Sequence, residues 1–214
     1  MERAAALDRV EALLDTIETE PMPVPVREVW LYGDAALGLD PVERLDIYLT
    51  KDILLESDDE AAERFEREYG VKGVGSTVRA EWAEQFPDSL RASENGYAAP
   101  EKCLGAHLTD TDEPIHLEVC NASFGDNVTQ RLRGALDREA YEQVLDPRGA
   151  CLWEDGERDA ETLEKLRAGD LAFPTLSEAL GMLGADEADA RVAAEAVNER
   201  RAEQTGVTVR GDVV

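Results

Sequence analysis

Alternating apolar and polar residues predict three short strands in the first 120 positions of the chain. The segment 26–32 ends in an apolar run, Val29–Tyr32, whereas 45–50 and 115–120 alternate between apolar and polar side chains. A period of two places alternate side chains on opposite faces of a sheet, so 45–50 and 115–120 should each have one face toward the core. The core-facing residues are predicted to be Leu45, Ile47, Leu49, Ile115, Leu117 and Val119.

Most of the remaining chain has the 3.6-residue period of amphipathic helices. In the first helix, Leu7, Val10, Leu14 and Ile17 share one face, and prolines at 21, 23 and 25 end it. A short strand is predicted at 151–153. The predicted helices span 2–20, 59–69, 77–86, 100–108, 125–135, 137–145, 159–168, 175–183 and 186–204.

The order of these elements predicts an α/β protein with a small mixed sheet flanked by helices, followed by a mainly helical C-terminal segment. We place the α/β part at residues 1–123 and the mainly helical part at 124–214. The boundary near residue 123 is soft, and the two parts are able to pack as one domain.

The charge balance is strongly acidic, with 48 Asp and Glu against 22 Lys and Arg, a formal net charge of -26. Only four of the basic residues are lysines. This composition is similar to that of proteins from salt-loving archaea, in which molar salt reduces the Debye length to about 3 Å and screens self-repulsion. The charge therefore does not exclude nucleic acid, although no basic face or aromatic stacking pattern supports it.

The sequence predicts a cytoplasmic protein that does not interact with membranes. No run of 18 apolar residues is present, and the N-terminus lacks a signal peptide. The odd number of cysteines, Cys103, Cys120 and Cys151, predicts reduced thiols.

The segment from Val29 to Gly38, with the strand from Leu45 to Thr50, resembles the signature of the nucleotidyltransferase superfamily. That signature is a strand ending in Gly-Ser, a loop, and Asp-x-Asp on the next strand. The resemblance implies a sheet of nucleotidyltransferase type and a nucleotide site at the turn that contains Gly33 and Gly38. It also implies that Asp46 is the first metal-binding acid and that Glu118, on a later strand, is the third.

Two departures from the signature weaken the implied chemistry. Asp34 occupies the serine position and would repel phosphates, and Tyr48, a poor Mg²⁺ ligand, occupies the second aspartate position. The predicted site therefore has Asp46 and Glu118 as metal ligands for at most a single Mg²⁺. Its candidate nucleotide-binding residues are Gly33, Asp34, Gly38 and Tyr48.

The function predicted from these residues is nucleotide binding or regulation by a catalytically degenerate nucleotidyltransferase-like domain. One alternative is a helical interaction or scaffold protein that contacts a protein partner and has no ligand site. The other is an active, metal-dependent nucleotidyltransferase.

A second set of candidate ligands is Cys103-x3-His107 followed by His116-x3-Cys120, whose residue types suit zinc. On a strand, however, His116 and Cys120 would be about 13 Å apart, at about 3.3 Å per residue. We therefore expect these residues to be separate buried thiols and edge histidines.

Overall fold

The chain forms a mixed α/β fold around one central sheet. The computed structural model describes residues 1–52, 63, 66–67, 72–74, 77–79, 96–110, 113–203 and 208–211. Within these ranges the strands are β1 Val26–Tyr32, β2 Leu45–Lys51, β3 Lys72–Val74, β4 Thr77–Arg79, β5 Ile115–Cys120, β6 Gly149–Glu154, β7 Glu157–Arg158 and β8 Thr208–Gly211. The helices are α1 Arg3–Thr19, α2 Gly33–Ala36, α3 Pro100–Leu108, α4 Phe124–Arg138, α5 Ala160–Ala168, α6 Leu176–Met182 and α7 Glu187–Glu203, with a 3₁₀ helix at Tyr141–Gln143.

The sheet contains six of the described strands, in the order β7-β6-β1-β2-β5-β8. Strand β1 runs antiparallel to both β2 and β6, whereas β2 and β5, and then β5 and β8, are parallel. Strands β3 and β4 form a separate hairpin. Residues on both sides of position 123 thus contribute strands to the same sheet.

Helices cover the sheet on both faces, which explains why every residue of β2 and β5 is buried. The apolar side chains of β1, β2, β5 and β6 form one core cluster with helices α1, α3 and α5. On the opposite face, Phe124 and Val128 of α4 pack against Tyr32, Tyr48 and Cys120. Helices α6 and α7 join α4 in a further cluster.

Local sequence signals account for several helix ends. Ser123 caps α4 by accepting a hydrogen bond from the Asp126 amide, and Asp159 caps α5 in the same way. Thr175 and Glu178 form a reciprocal capping box at the start of α6. Polar residues that favour these caps therefore fix where the helices around the sheet begin.

The three main strand predictions are confirmed, and the strand predicted at 151–153 lies within β6. The predicted helix at 137–145 is wrong. Helix α4 continues through Gly134 to Arg138, because Leu132 and Ala135 are both buried, and it ends where Glu139 adopts a left-handed backbone. A short 3₁₀ helix follows.

The predicted helix at 77–86 is also wrong at its start, where Val78 is buried and pairs with Ala98 in an extended conformation. The rest of that prediction, like most of the predicted helix at 59–69, lies outside the described residues. The helices predicted at 2–20, 100–108, 125–135, 159–168, 175–183 and 186–204 are confirmed, with ends that differ by a few residues.

Candidate functional site

Asp46 and Glu118 lie on the same buried face of the sheet, as the alternation in their strands predicts. In the parallel pairing of β2 with β5, Asp46 is opposite His116, and Tyr48 is opposite Glu118. Directly opposed residues share a face, so all four side chains point to the side covered by α4. Asp46 is 2% exposed and Glu118 is 3% exposed.

Each of these two carboxylates is bound by an arginine. Arg44 donates to Asp46 Oδ1 from Nη2 at 2.5 Å and from Nε at 2.9 Å. Arg131 donates to Glu118 from Nη2 at 2.7 Å and from Nη1 at 3.2 Å, and His116 Nε2 lies 3.2 Å from the same carboxylate. The repulsion expected between two acids on one face is therefore offset by basic side chains.

The two environments shift the pKa values of Asp46 and Glu118 in opposite directions. Burial raises the pKa of Asp46, and this outweighs the opposing charges of Arg44 and Arg201. Burial also acts to raise the pKa of Glu118, but hydrogen bonding with His116 and the charge of Arg131 outweigh it and lower the pKa to about 2. Glu118 is accordingly ionised at every pH above about 3.

Arg201, at the C-terminal end of α7, connects three acidic side chains from different parts of the chain. Its Nη2 pairs with Asp34 of α2 and lies 4.0 Å from Asp46 Oδ2, and its Nη1 lies 3.5 Å from Asp146 Oδ2. Asp146 is 2% exposed and also accepts hydrogen bonds from Arg148 Nη2 at 2.8 Å and Nε at 3.0 Å. Paired carboxylates therefore fix Arg148 and Arg201 in place.

These arginines line a cleft of about 790 Å³ between the sheet and helices α6 and α7. Arg44, Arg148 and Arg201 contribute guanidinium groups to its lining, together with the carboxylates of Asp34, Glu43 and Asp46. An apolar wall completes the cleft, formed by Leu37, Leu39, Leu171, Phe173, Pro174 and Leu176. The volume is within the range of about 300–1,000 Å³ found for small-molecule sites.

Of the four candidate nucleotide-binding residues, only Asp34 is in the lining of this cleft. Gly33 lies behind Asp46 with a left-handed φ of 72°. A side chain at position 33 would collide with the Asp46 carboxylate, so this turn requires glycine. Gly38 also has a left-handed backbone, and no atom of the described residues lies within 4 Å of where its Cβ would be.

Tyr48 is a core residue and does not line the cleft. Its side chain is fully buried, its ring packs edge-on against Phe124 with centroids 5.2 Å apart, and its hydroxyl donates to the Ala122 carbonyl at 2.8 Å. The Asn127 side-chain amide donates to the same hydroxyl at 2.8 Å. The residue at the second aspartate position of the nucleotidyltransferase signature thus anchors α4 to the sheet.

Several charged residues of the site are not among those predicted from the sequence, including Arg44, Arg131, Asp146, Arg148 and Arg201. Two of them could have been found from helical phase. Arg131 is seven residues after Phe124 on the buried stripe of α4, and Arg201 is four residues after the buried Val197 of α7. An arginine in phase with an apolar stripe predicts a buried ionic partner, because a charge is seldom buried without one.

The two Cys-His pairs lie apart and have other partners. His107 Nε2 lies 3.4 Å from Glu20, and His116 contacts Glu118 in the polar cluster. Burial raises the pKa of the Cys103 thiol to about 11. Among the described residues, no group of three or more His, Cys, Asp or Glu side chains could hold a metal ion.

Comparisons with known proteins place the chain in a family without giving it an activity. In the described part of the chain, no helix is both long and apolar enough to cross a membrane. Neither a curated protein nor a solved structure matches the sequence. The model of one family matches residues 2–214, and the chain therefore belongs to DUF7095, a family of unknown function.

Proposed function

We propose that this protein binds a nucleotide in the arginine-lined cleft and does not catalyse nucleotide transfer. The observation that carries the proposal is the placement of three guanidinium groups, from Arg44, Arg148 and Arg201, beside an apolar wall in one cleft. A ligand that matches both surfaces has an anionic group joined to an apolar, flat part. Nucleotides have this combination.

The arginines suit phosphate recognition because they are held in place before a ligand arrives. A guanidinium donates several N–H groups in a fixed plane, which fits the tetrahedron of phosphate oxygens. Arg148 is fixed by two hydrogen bonds to Asp146, so little further ordering is needed on binding. Phe173 lines the cleft while it packs partly against the main core, and we propose that its ring supplies the surface on which a base stacks.

We propose that there is no transfer chemistry because the two candidate metal-binding acids, Asp46 and Glu118, are already bound by arginines. Two-metal phosphoryl transfer needs carboxylates that are free to coordinate cations. Asp46 and Glu118 instead form short hydrogen bonds with Arg44 and Arg131. Tyr48, at the position of the remaining acid, is fully buried under α4. These contacts support a degenerate site better than an active one.

We further propose that the sheet is of nucleotidyltransferase type and that the protein works in molar salt inside a halophilic archaeal cell. The strand β1, the Gly33 turn and the strand carrying Asp46 support the first proposal, since they retain the order of that signature. The net charge of -26 with only four lysines supports the second.

Isothermal titration with nucleotides in 3 M KCl, with and without MgCl₂, tests the proposed function. We expect saturable binding that does not depend on Mg²⁺, together with no nucleotide turnover. Phe173→Ala should weaken nucleotide binding about tenfold, because it removes a stacking surface worth about 1–3 kcal/mol per base. This variant leaves every ionic contact of the cleft intact.

Arg148→Met removes a positive charge from the cleft. Arg133→Met removes the same charge elsewhere and is its matched control. Arg133 is exposed on α4 and does not line the cleft, whereas Arg148 does. We expect Arg148→Met to abolish binding and Arg133→Met to leave it unchanged. If no nucleotide binds to the folded wild-type protein, the proposal is wrong and the helical scaffold alternative replaces it. Mg²⁺-dependent turnover would instead identify an active transferase.

A further inference from the structure

We infer that the nucleotide bound in this cleft is a nucleoside monophosphate and not a triphosphate. This inference rests on the proposed function and adds the substrate class. It is carried by the balance of charges around the cleft, by the way each arginine is already engaged, and by the absence among the described residues of a group that could hold a metal ion.

The cleft is lined by equal numbers of positively and negatively charged side chains. Three arginines, Arg44, Arg148 and Arg201, face three carboxylates, Asp34, Glu43 and Asp46. Asp146 adds a further carboxylate next to Arg148 and Arg201, although it does not line the cleft itself. The cleft therefore offers oriented N–H donors without a surplus of positive charge.

A monophosphate leaves less negative charge uncompensated in such a cleft than a triphosphate does. A phosphate monoester carries about two negative charges near neutral pH, and each added phosphoryl group carries at least about one more. Enzymes that bind triphosphates neutralise this charge with Mg²⁺ that is held by carboxylates and phosphate oxygens. Here Asp46 is bound by Arg44, so a bound triphosphate would remain largely uncompensated.

The hydrogen bonds of the arginines indicate which one holds the single phosphate. Both terminal nitrogens of Arg201 face carboxylates, those of Asp34 and Asp146. Arg148 bonds to Asp146 through Nε and Nη2, and among the described contacts its Nη1 has no carboxylate partner. Arg148 Nη1 can accordingly donate to one phosphate group, with Phe173 and its neighbours holding the nucleoside.

Competitive calorimetry tests this inference on the full chain, at the lowest KCl concentration at which circular dichroism shows the native helix content. The probes are AMP, GMP, CMP and UMP, the corresponding triphosphates with and without MgCl₂, and inorganic phosphate. We expect the best monophosphate to bind at least about tenfold more tightly than its triphosphate, because the excess charge meets no surplus of cations. Inorganic phosphate should bind more weakly than the monophosphate, since it lacks the part that contacts the apolar wall.

Glu43→Gln sharpens the test because it removes one negative charge from the cleft lining. Glu43 is exposed and shows no ion pair among the described contacts, so the variant should fold normally. We expect it to improve triphosphate binding more than monophosphate binding and to reduce their ratio by about threefold. Glu164→Gln, at an exposed position of α5 outside the cleft, makes the same change in net charge and should leave the ratio unchanged.

Each outcome separates the inference from the proposed function. Tighter binding of the triphosphate than of the monophosphate, with or without Mg²⁺, overturns the inference and leaves nucleotide binding standing. An unchanged ratio in Glu43→Gln overturns its electrostatic basis. Failure of every nucleotide to bind overturns the proposed function as well, whereas preference for a monophosphate supports both.

Discussion

On one face of the central sheet, leucine, isoleucine and valine side chains of β2 and β5 pack against α1, α3 and α5. On the other face of the same strands, Asp46 and Glu118 are also buried but form ion pairs with Arg44 and Arg131, and His116 contacts Glu118. The side chains on both faces are thus buried, but they have different sources of stability. Burial alone does not say whether a region is a core or a site.

The two faces differ in how strictly their side chains must be positioned. Apolar packing is non-directional and tolerates changes that keep volume, whereas a buried ion pair is favourable only when its hydrogen bonds are well formed. The polar face therefore commits its arginines to fixed positions at an energetic cost that the apolar face does not bear. A ligand site benefits from such fixed donors, and a core does not need them.

Removal of salt should have the largest effect, because it acts on the whole charge distribution. At 0.1 M KCl the Debye length is about 10 Å, and the net charge of -26 then repels itself over that range. We expect the native fold to be lost or expanded between 3 M and 0.1 M KCl, as measured by circular dichroism. Constant helicity and a constant melting temperature would contradict the halophile proposal.

Arg131→Met should be the most damaging single change on the polar face. It leaves Glu118 ionised and buried with one basic neighbour fewer, which typically costs about 3–5 kcal/mol of unfolding free energy. Denaturant unfolding in 3 M KCl measures the loss. Arg133→Met, on the exposed side of the same helix, should change the unfolding free energy by no more than about 0.5 kcal/mol. Similar effects of the two variants would show that the ion pair is not important.

Leu117→Ala tests the apolar face at the strand position next to His116 and Glu118. Leu117 is fully buried in the main core, so its truncation should cost about 2–5 kcal/mol through lost transfer energy and the cavity left behind. Because no charge is involved, the loss should be the same at pH 4 and pH 7. A loss that changes with pH would mean that the two faces are coupled through the strand.

A smaller effect is expected from acid, and it should be confined to the polar face. The folded pKa of Glu118 is about 2 and its ordinary value is 4.5, so the unfolded chain binds the extra proton between these pH values. The contribution of Glu118, about 3 kcal/mol, is therefore complete above pH 4.5 and is lost as pH falls toward 2. Burial raises the pKa of Asp46, so the folded protein holds this proton more tightly than the unfolded chain does. The effect of Asp46 on the unfolding free energy therefore changes with pH in the opposite direction to that of Glu118.

Glu118→Gln isolates that contribution, because the Asp46 effect is common to both proteins and cancels in the difference. The unfolding free energies of wild type and variant should converge as the pH is lowered from 5 to 3. A difference that stays constant over this range would show that Glu118 is not stabilised as a carboxylate.

The sequence predicted the apolar face better than the polar one for a physical reason. Strand alternation identifies Ile115, Leu117 and Val119 because the signal lies within a few consecutive residues. It also places Asp46 and Glu118 on the opposite face, and the structure agrees. Arg44 is two residues before Asp46 and within reach of the same alternation. Arg131 and Arg201 give no such signal, because they lie on helices, the first 13 residues after Glu118 and the second near the end of the chain.

The error over Tyr48 has a related cause. At the level of a motif, position 48 is either a metal-binding acid or a replacement for one. In the folded chain its hydroxyl is used by Ala122 and Asn127, which belong to the α4 region and are more than 70 residues away along the chain. A tyrosine that holds a helix in place and a tyrosine that replaces a ligand look the same in the sequence.

The pairing of β8 with β5 has a consequence for synthesis on the ribosome. Strand β5 ends at Cys120, but its parallel neighbour begins only at Thr208, so one side of β5 has no strand partner until the intervening chain has been made. A nascent chain that has emerged only to α6 would pair β5 with β2 but leave the other edge of this mostly apolar strand open. Parallel pairing over such a separation is slow to form, so the growing chain is most vulnerable to association with other chains during this interval.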